Sequence, residues 1–194
     1  EIMGYNENKK YALLIGGGSN QHDTCESYYK NIEYVVNTLK KLSYVDEDIK
    51  VLFYGGRTPD HPIVEGDATK TSVMNELSYF GGKIDSNDTL IIFRSGHGIV
   101  ELIFEKYGIL SKNEHVSGLE NVKILGTAAV MIFPDGLLSY LEFQEKLEKI
   151  KGKQIVVILN QCFSGQFTDI AMNLDHTVVI SETNELEMAF NPTR

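Results

Sequence analysis

The chain has no tryptophan, only four prolines and only two cysteines in 194 residues. Two cysteines, Cys25 and Cys162, cannot form the disulfide framework that staples small secreted domains, so the composition predicts a reducing, cytoplasmic setting. No apolar run approaches the roughly 18 residues of a membrane span, and a membrane is not expected as a partner. The polar start from Glu1 to Lys10 carries no signal-peptide pattern, although the first residue is not Met, as in a trimmed or processed chain. Internal repeats and low-complexity stretches are also absent. Basic residues are in the minority: 18 Lys and Arg against 27 Asp and Glu leave a net charge of −9. Basic doublets occur only at Lys9-Lys10 and Lys40-Lys41, so nothing overrides the acidic field, and nucleic acid is excluded as a partner.

What remains is an ordinary globular composition, 42% apolar and 23% charged, in a length that one core serves. Residues 1–194 therefore read as a single domain without a linker. Short apolar runs alternate with amphipathic stretches. Tyr11 to Ile15, closed by Gly16-Gly17-Gly18, reads as a strand buried on both faces. Ile49 to Tyr54, Thr89 to Phe93, Gln154 to Leu159 and Thr177 to Ile180 read as four further strands. Ile32, Val35, Val36, Leu39 and Leu42 recur at helical spacing. So do Val73, Leu77 and Phe80, a helix expected to stop at Gly81-Gly82. Pro134-Asp135-Gly136 signals a turn. Ser139 with Glu142 forms a capping box ahead of Tyr140, Phe143, Leu147 and Ile150. Between Gly98 and Phe133 the pattern is less regular, with Ile99 to Phe104 and Thr127 to Phe133 as candidate strands. Alternating strands and helices predict an α/β fold with a mainly parallel sheet covered on both faces.

Sites in open α/β sheets lie just beyond the carboxyl ends of strands. The third long strand runs into Arg94-Ser-Gly-His97-Gly98, and the fourth into Asn160-Gln-Cys162-Phe-Ser-Gly165. If these strands are neighbours, about 4.8 Å apart, imidazole and thiol project from one sheet edge. That pair suits nucleophilic chemistry. A thiol with a pKa near 8.5 supplies only a few per cent of the thiolate at neutral pH, and an imidazole can take the proton and return it to a leaving amine. Adjacent glycines permit sharp turns and close approach of a carbonyl. The backbone N–H groups of Gly98 and Cys162 are candidate oxyanion donors, each worth about 3 kcal/mol in such sites.

Ser95-Gly96-His97-Gly98, followed 65 positions after the His by Cys162 within Gln161-Cys162-Phe163-Ser164-Gly165, resembles the His and Cys elements of caspase-like cysteine peptidases. That group spans caspases, metacaspases, legumains and clostripain-like enzymes, and the resemblance covers the chain from Tyr11 to about Phe190. It implies a caspase-like three-layer α/β/α sandwich. It also implies a cysteine endopeptidase acting on protein or peptide substrates through a Cys162–His97 dyad and a thioester acyl-enzyme, without a cofactor or metal. No third orienting residue is assigned. An idle caspase-like module for protein association or signalling is the alternative.

The resemblance also implies where the substrate pocket lies: between the loops after the first, fourth and fifth long strands. These loops hold Asp23, Glu26, Lys30, Asn160, Ser181, Glu182 and Glu185. Metacaspases usually carry Asp two positions before the Cys, legumains carry Glu and caspases a neutral Gln; here Asn160 stands there. The expectation is a polar, weakly charged preference or a basic one rescued by Glu182 or Asp23; an acidic one has only Lys30 to draw on. Ser181-Glu182-Thr183 occupies the place of a segment that pairs with substrate backbone. Other motifs are weaker. Gly16 to Asn20 lacks phosphate-loop spacing, and His22, Asp23 and Cys25 match no strong zinc pattern. Asp46-Glu47-Asp48 reads as a solvated acidic turn, and Asn87-Asp88-Thr89 as a chance glycosylation sequon.

Overall fold

The computed structural model describes residues 8–104, 109–110, 124–185 and 187–188; residues 1–7 of the polar start, and Phe190, lie outside them. Six strands form the central sheet: β1 (Lys10–Gly17), β2 (Ile49–Phe53), β3 (Gly66–Asp67), β4 (Thr89–Gly96), β9 (Gln154–Asn160) and β10 (Thr177–Ser181). Their order is β10-β9-β4-β1-β2-β3, and every neighbouring pair is parallel. The chain steps from β1 to β2 on one side, then crosses to β4 on the other. β1 and β4 therefore flank the topological switch point, where the loops leaving the two strands diverge and open a crevice.

Strand β1 explains the layering. Its residues alternate: Tyr11, Leu13 and Ile15 join one core cluster with Val73, Leu77, Phe80, Phe143 and Leu147, while Ala12 and Leu14 join another with Ile32, Val36 and Leu39. Helix α1 (Glu26–Lys41) thus covers one face of the sheet. Helices α2 (Lys70–Lys83), α3 (Tyr140–Leu147) and the short α4 (Asp169–Asn173) lie on the other, giving three α/β/α layers. No helix among the described residues is long and apolar enough to cross a membrane.

The glycines expected to end elements do so only in part. Strand β1 runs on through Gly16-Gly17, because a side chain at Gly16 would strike the Ile32 side chain and the Phe53 ring; glycine there lets α1 approach the sheet. Helix α2 continues through Gly81-Gly82 and stops where Ile84 turns extended (φ −81°, ψ 130°). Leu42, at the end of the apolar stripe of α1, is 56% exposed rather than part of the core. The capping box forms as expected: the Ser139 hydroxyl accepts from the Glu142 N–H at 3.2 Å, and Glu142 accepts from the Ser139 N–H at 3.0 Å. The turn at Asp135 has a second use, accepting from the Thr71 N–H (3.0 Å) at the start of α2.

The irregular stretch resolves into a second sheet, antiparallel and ordered β6-β5-β7-β8, from β5 (Gly98–Phe104), β6 (Ile109–Leu110), β7 (Ile124–Phe133) and β8 (Gly136–Ser139). Strand β5 starts one residue after His97, so this sheet hangs directly from the end of β4.

Two positions on the α1 stripe should separate in stability. Ile32 is fully buried, and Ile32→Ala should cost about 2–5 kcal/mol through lost transfer energy and a residual cavity. Leu42→Ala should change stability by less than about 0.5 kcal/mol. Urea unfolding of both variants checks the pair.

Candidate active site

Strands β4 and β9 are neighbours, paired from Thr89↔Gln154 to Ser95↔Asn160. His97 and Cys162 each follow the last pair by two residues, so both leave the same sheet edge side by side. By strand alternation Ser95 and His97 face α1, while Arg94 faces the opposite core. Both dyad candidates are half-buried. The two segments touch through backbone: a side chain on Gly98 would overlap the Cys162 carbonyl and come within 2.7 Å of the Gln161 amide nitrogen. Phe163, directly after the cysteine, is left-handed (φ 56°), which turns the chain sharply away from the strand.

The imidazole is held from the loop after β1. His97 Nε2 lies 2.8 Å from the Asp23 carbonyl oxygen. A carbonyl only accepts, so Nε2 carries the proton and Nδ1 is left as the basic nitrogen. The Tyr28 hydroxyl sits 3.2 Å from the same Nε2, and its ring stands edge-on to the imidazole with centroids 5.5 Å apart. Burial first, then the nearby Cys25 and Cys162 sulfurs, push the Tyr28 phenol up to about 12, so it stays neutral.

The side chain of Asp23, a candidate for the substrate pocket, bonds within its own loop. Its carboxylate accepts from the Ser19 hydroxyl (2.6 Å) and the Asn20 N–H (2.9 Å), folding the loop on itself. Desolvation opposes the charge, but these bonds outweigh it and hold the carboxyl below its usual range. The side chain therefore shapes the loop, and the backbone carbonyl does the orienting. No sequence pattern marks a backbone carbonyl.

The proposed pocket residues divide. Asn160 belongs to a chain of neutral groups: Asn31 Nδ2 donates to Ser95 Oγ (3.0 Å), and the Ser95 hydroxyl donates to Asn160 Oδ1 (3.1 Å). Lys30 does not join it. Tyr28 and Asn31 face the site, and Lys30, about 200° around the helix from Tyr28, lies exposed on the far side of α1. Ser181 ends β10, and Glu182 remains exposed while its N–H donates to the Leu159 carbonyl (3.0 Å). Partial desolvation raises the Glu182 carboxyl above its usual range. Thr183 is buried against the cysteine loop, accepting from the Ser164 N–H at 3.0 Å. The following residues stay close, with the Phe163 N–H donating to the Glu187 carbonyl at 2.8 Å. The acidic turn carries ion pairs, Lys40–Asp46 at 2.7 Å and Lys83–Asp48 at 3.3 Å.

Sequence reasoning missed Arg94. It is fully buried, and no ion pair joins it to a carboxylate among the described residues. Its Nε donates to Gln161 Oε1 (2.8 Å), its Nη2 to the Ile132 carbonyl (2.8 Å) and the His97 carbonyl (3.2 Å), and the guanidinium stacks 4.3 Å over the Phe133 ring. Burial pushes its pKa down to about 9, which leaves it charged at neutral pH. The available signal was an arginine at an inward position of an otherwise apolar strand.

No family model and no curated protein matches the chain. Among solved structures, it is similar to the crystal structure of protein GSU0716 from Geobacter sulfurreducens. The TM-score is 0.54 at 15% identity, over 88% of this chain and 57% of that one. The chain thus spans little more than half of that protein, and the likeness is one of fold.

Gly98→Ala tests the backbone contact between the two segments. The added methyl must push the Cys162 carbonyl away, costing about 1–3 kcal/mol as overpacking does. Thermal unfolding checks the stability, and slower modification of Cys162 by iodoacetamide is expected alongside it.

Proposed function

We propose that the protein is a cysteine endopeptidase in which Cys162 is the nucleophile and His97 the general acid and base. One observation carries this reading: His97 and Cys162 end adjacent parallel strands at the switch-point edge, with His97 Nε2 committed to the Asp23 carbonyl. In the neutral ring that commitment puts the proton on Nε2 and leaves Nδ1 as the acceptor, the tautomer a base requires. The resemblance of the two motifs to caspase-like peptidases supports the same assignment.

The chemistry follows. The Cys162 thiol gives its proton to His97 Nδ1, and the sulfur attacks the peptide carbonyl carbon. The tetrahedral oxyanion accepts hydrogen bonds from the Gly98 and Cys162 N–H groups. Collapse breaks the C–N bond, and the leaving amine takes the proton from His97, forming a thioester. Water then attacks the thioester, with His97 accepting its proton and returning it to the thiol. Tyr28 and the Asp23 carbonyl hold the imidazole through this exchange and need not change protonation.

Cys162→Ala and His97→Ala should each abolish cleavage of a peptide library, falling by at least about a thousandfold while the fold persists. The double variant should be no worse than either single one, because the pair acts as a unit. A protein that cleaves no peptide in the library would favour the idle module. Cys25→Ala should retain cleavage, because Cys25 stands at the start of α1 and not at the end of a strand beside His97.

Asn160 sets a second expectation. Its neutral amide sits one strand step below the dyad on the dyad's own face, so Asn160→Asp adds a carboxylate there. Cleavage after Arg or Lys should then rise about tenfold, worth one or more kcal/mol in a partly desolvated pocket. No gain on Arg and Lys substrates would mean Asn160 does not line the pocket.

A further inference from the structure

A buried guanidinium without a carboxylate is costly unless its geometry is put to use. Arg94 reaches three acceptors, and two of them belong to the segments that bear the candidate dyad: the His97 carbonyl and the side chain of Gln161, the residue before Cys162. The third, the Ile132 carbonyl, belongs to β7, which pairs with β5. Arg94 therefore ties the end of β4, the end of β9 and the second sheet into one cluster.

The His97 carbonyl is the informative acceptor. It takes the Arg94 Nη2 donor and also the Ile132 N–H, each at 3.2 Å. The peptide unit that contains this carbonyl also contains the Gly98 N–H. Among the described residues no peptide is cis, so the two groups point in opposite directions across a planar unit. Antiparallel ladders alternate bonded and non-bonded pairs, and the Ile132–His97 bond makes Gly98↔Met131 a non-bonded pair. The Gly98 N–H is thus directed away from β7. Gly98 also packs against the cysteine segment, since a side chain there would strike the Cys162 carbonyl.

We propose that Arg94 is a positioning residue, whose guanidinium grips the His97 carbonyl from the core and so aims the Gly98 N–H at the oxyanion formed on Cys162. This rests on the endopeptidase reading and adds to it a residue on the opposite side of the sheet from the dyad. Charge-assisted bonding at the carbonyl also polarises the peptide, which strengthens the N–H as a donor. A guanidinium suits the task because it fixes several acceptors in one plane, whereas a lysine ammonium is a single point charge on a flexible stem.

Three variants test the role. Arg94→Met removes the grip. Arg94→Met with Gln161→Met also removes the amide that would be left unpaired, and exchanging both partners for apolar groups should keep the fold near its original stability. Arg94→Lys retains the charge without the fork. The readouts are kcat and KM on a peptide substrate, affinity for a peptide aldehyde, and the rate of Cys162 alkylation by iodoacetamide. Hydrolysis and aldehyde binding form an oxyanion; alkylation does not.

We expect kcat and aldehyde affinity to fall at least about tenfold in the Met variants, with KM and the alkylation rate within about twofold of the parent. Arg94→Lys should recover part of the loss. Wild-type hydrolysis with an unchanged kcat in the folded double variant overturns this proposal alone. An equal fall in alkylation assigns Arg94 to the dyad or the fold and overturns it as well. A wild-type chain alkylated at Cys162 that hydrolyses no peptide refutes the endopeptidase reading, and this proposal with it.

Discussion

Parallel pairing of β4 with β9, with Ser95 opposite Asn160, decides where two loops leave the sheet and which side chains they present. A slip of one residue would turn every side chain of one strand to the other face. Ser95 and His97 would then point into the core beneath α2 and α3, and Arg94 toward α1. Burial enforces the register: Leu90 and Ile92 on β4, and Ile155, Val157 and Leu159 on β9, are all almost wholly buried in the same cluster. The candidate dyad is a by-product of that packing, since each residue lies only two positions past the last strand pair.

Close backbone approach is the second requirement, and small residues meet it. Gly98 leaves no room for a side chain against the Cys162 carbonyl, and Gly165 leaves none against the backbone of Asn184 and Glu185. The cysteine loop is thereby pressed between the start of β5 and the segment that follows β10. Buried hydrogen bonds among Ser164, Thr183 and Gln161 hold that segment in place. The loop owes its shape to contacts on both flanks more than to its own turn chemistry, and the left-handed Phe163 persists because those flanks fix it.

Charge is distributed unusually around this edge. Arg94, the one fully buried cation among the described residues, lies behind the sheet with neutral hydrogen-bond partners, while the α1 side offers the uncharged series Asn31, Ser95 and Asn160. The Asp23 carboxylate is satisfied by its own loop. The site therefore depends on dipoles and backbone groups more than on an ion pair with a third side chain. Such groups need no reorganisation as charge develops in a reaction.

Several features were legible in the chain alone. Continuous apolar runs marked five strands of the central sheet; β1 is buried on both faces as such a run implies, whereas β10 is an edge strand whose Val178 and Ile180 are exposed. The Ser139–Glu142 box marked the start of α3, because capping is a local bond within one turn. His97 and Cys162 stood out because both follow such runs and carry adjacent glycines. Tertiary structure alone decided the rest. Gly16-Gly17 and Gly81-Gly82 read as stops locally, yet close packing keeps them within elements. Lys30 lies exposed on the face of α1 away from Tyr28, because the rotation of that helix depends on which of its residues the sheet buries. The Asp23 carbonyl, the Tyr28 hydroxyl and the Arg94 guanidinium act across 74, 69 and 67 positions of sequence respectively, at His97 and, for Arg94, at Gln161. A residue's identity fixes its chemistry, but which distant atoms meet it depends on the sheet order and register that the whole core selects.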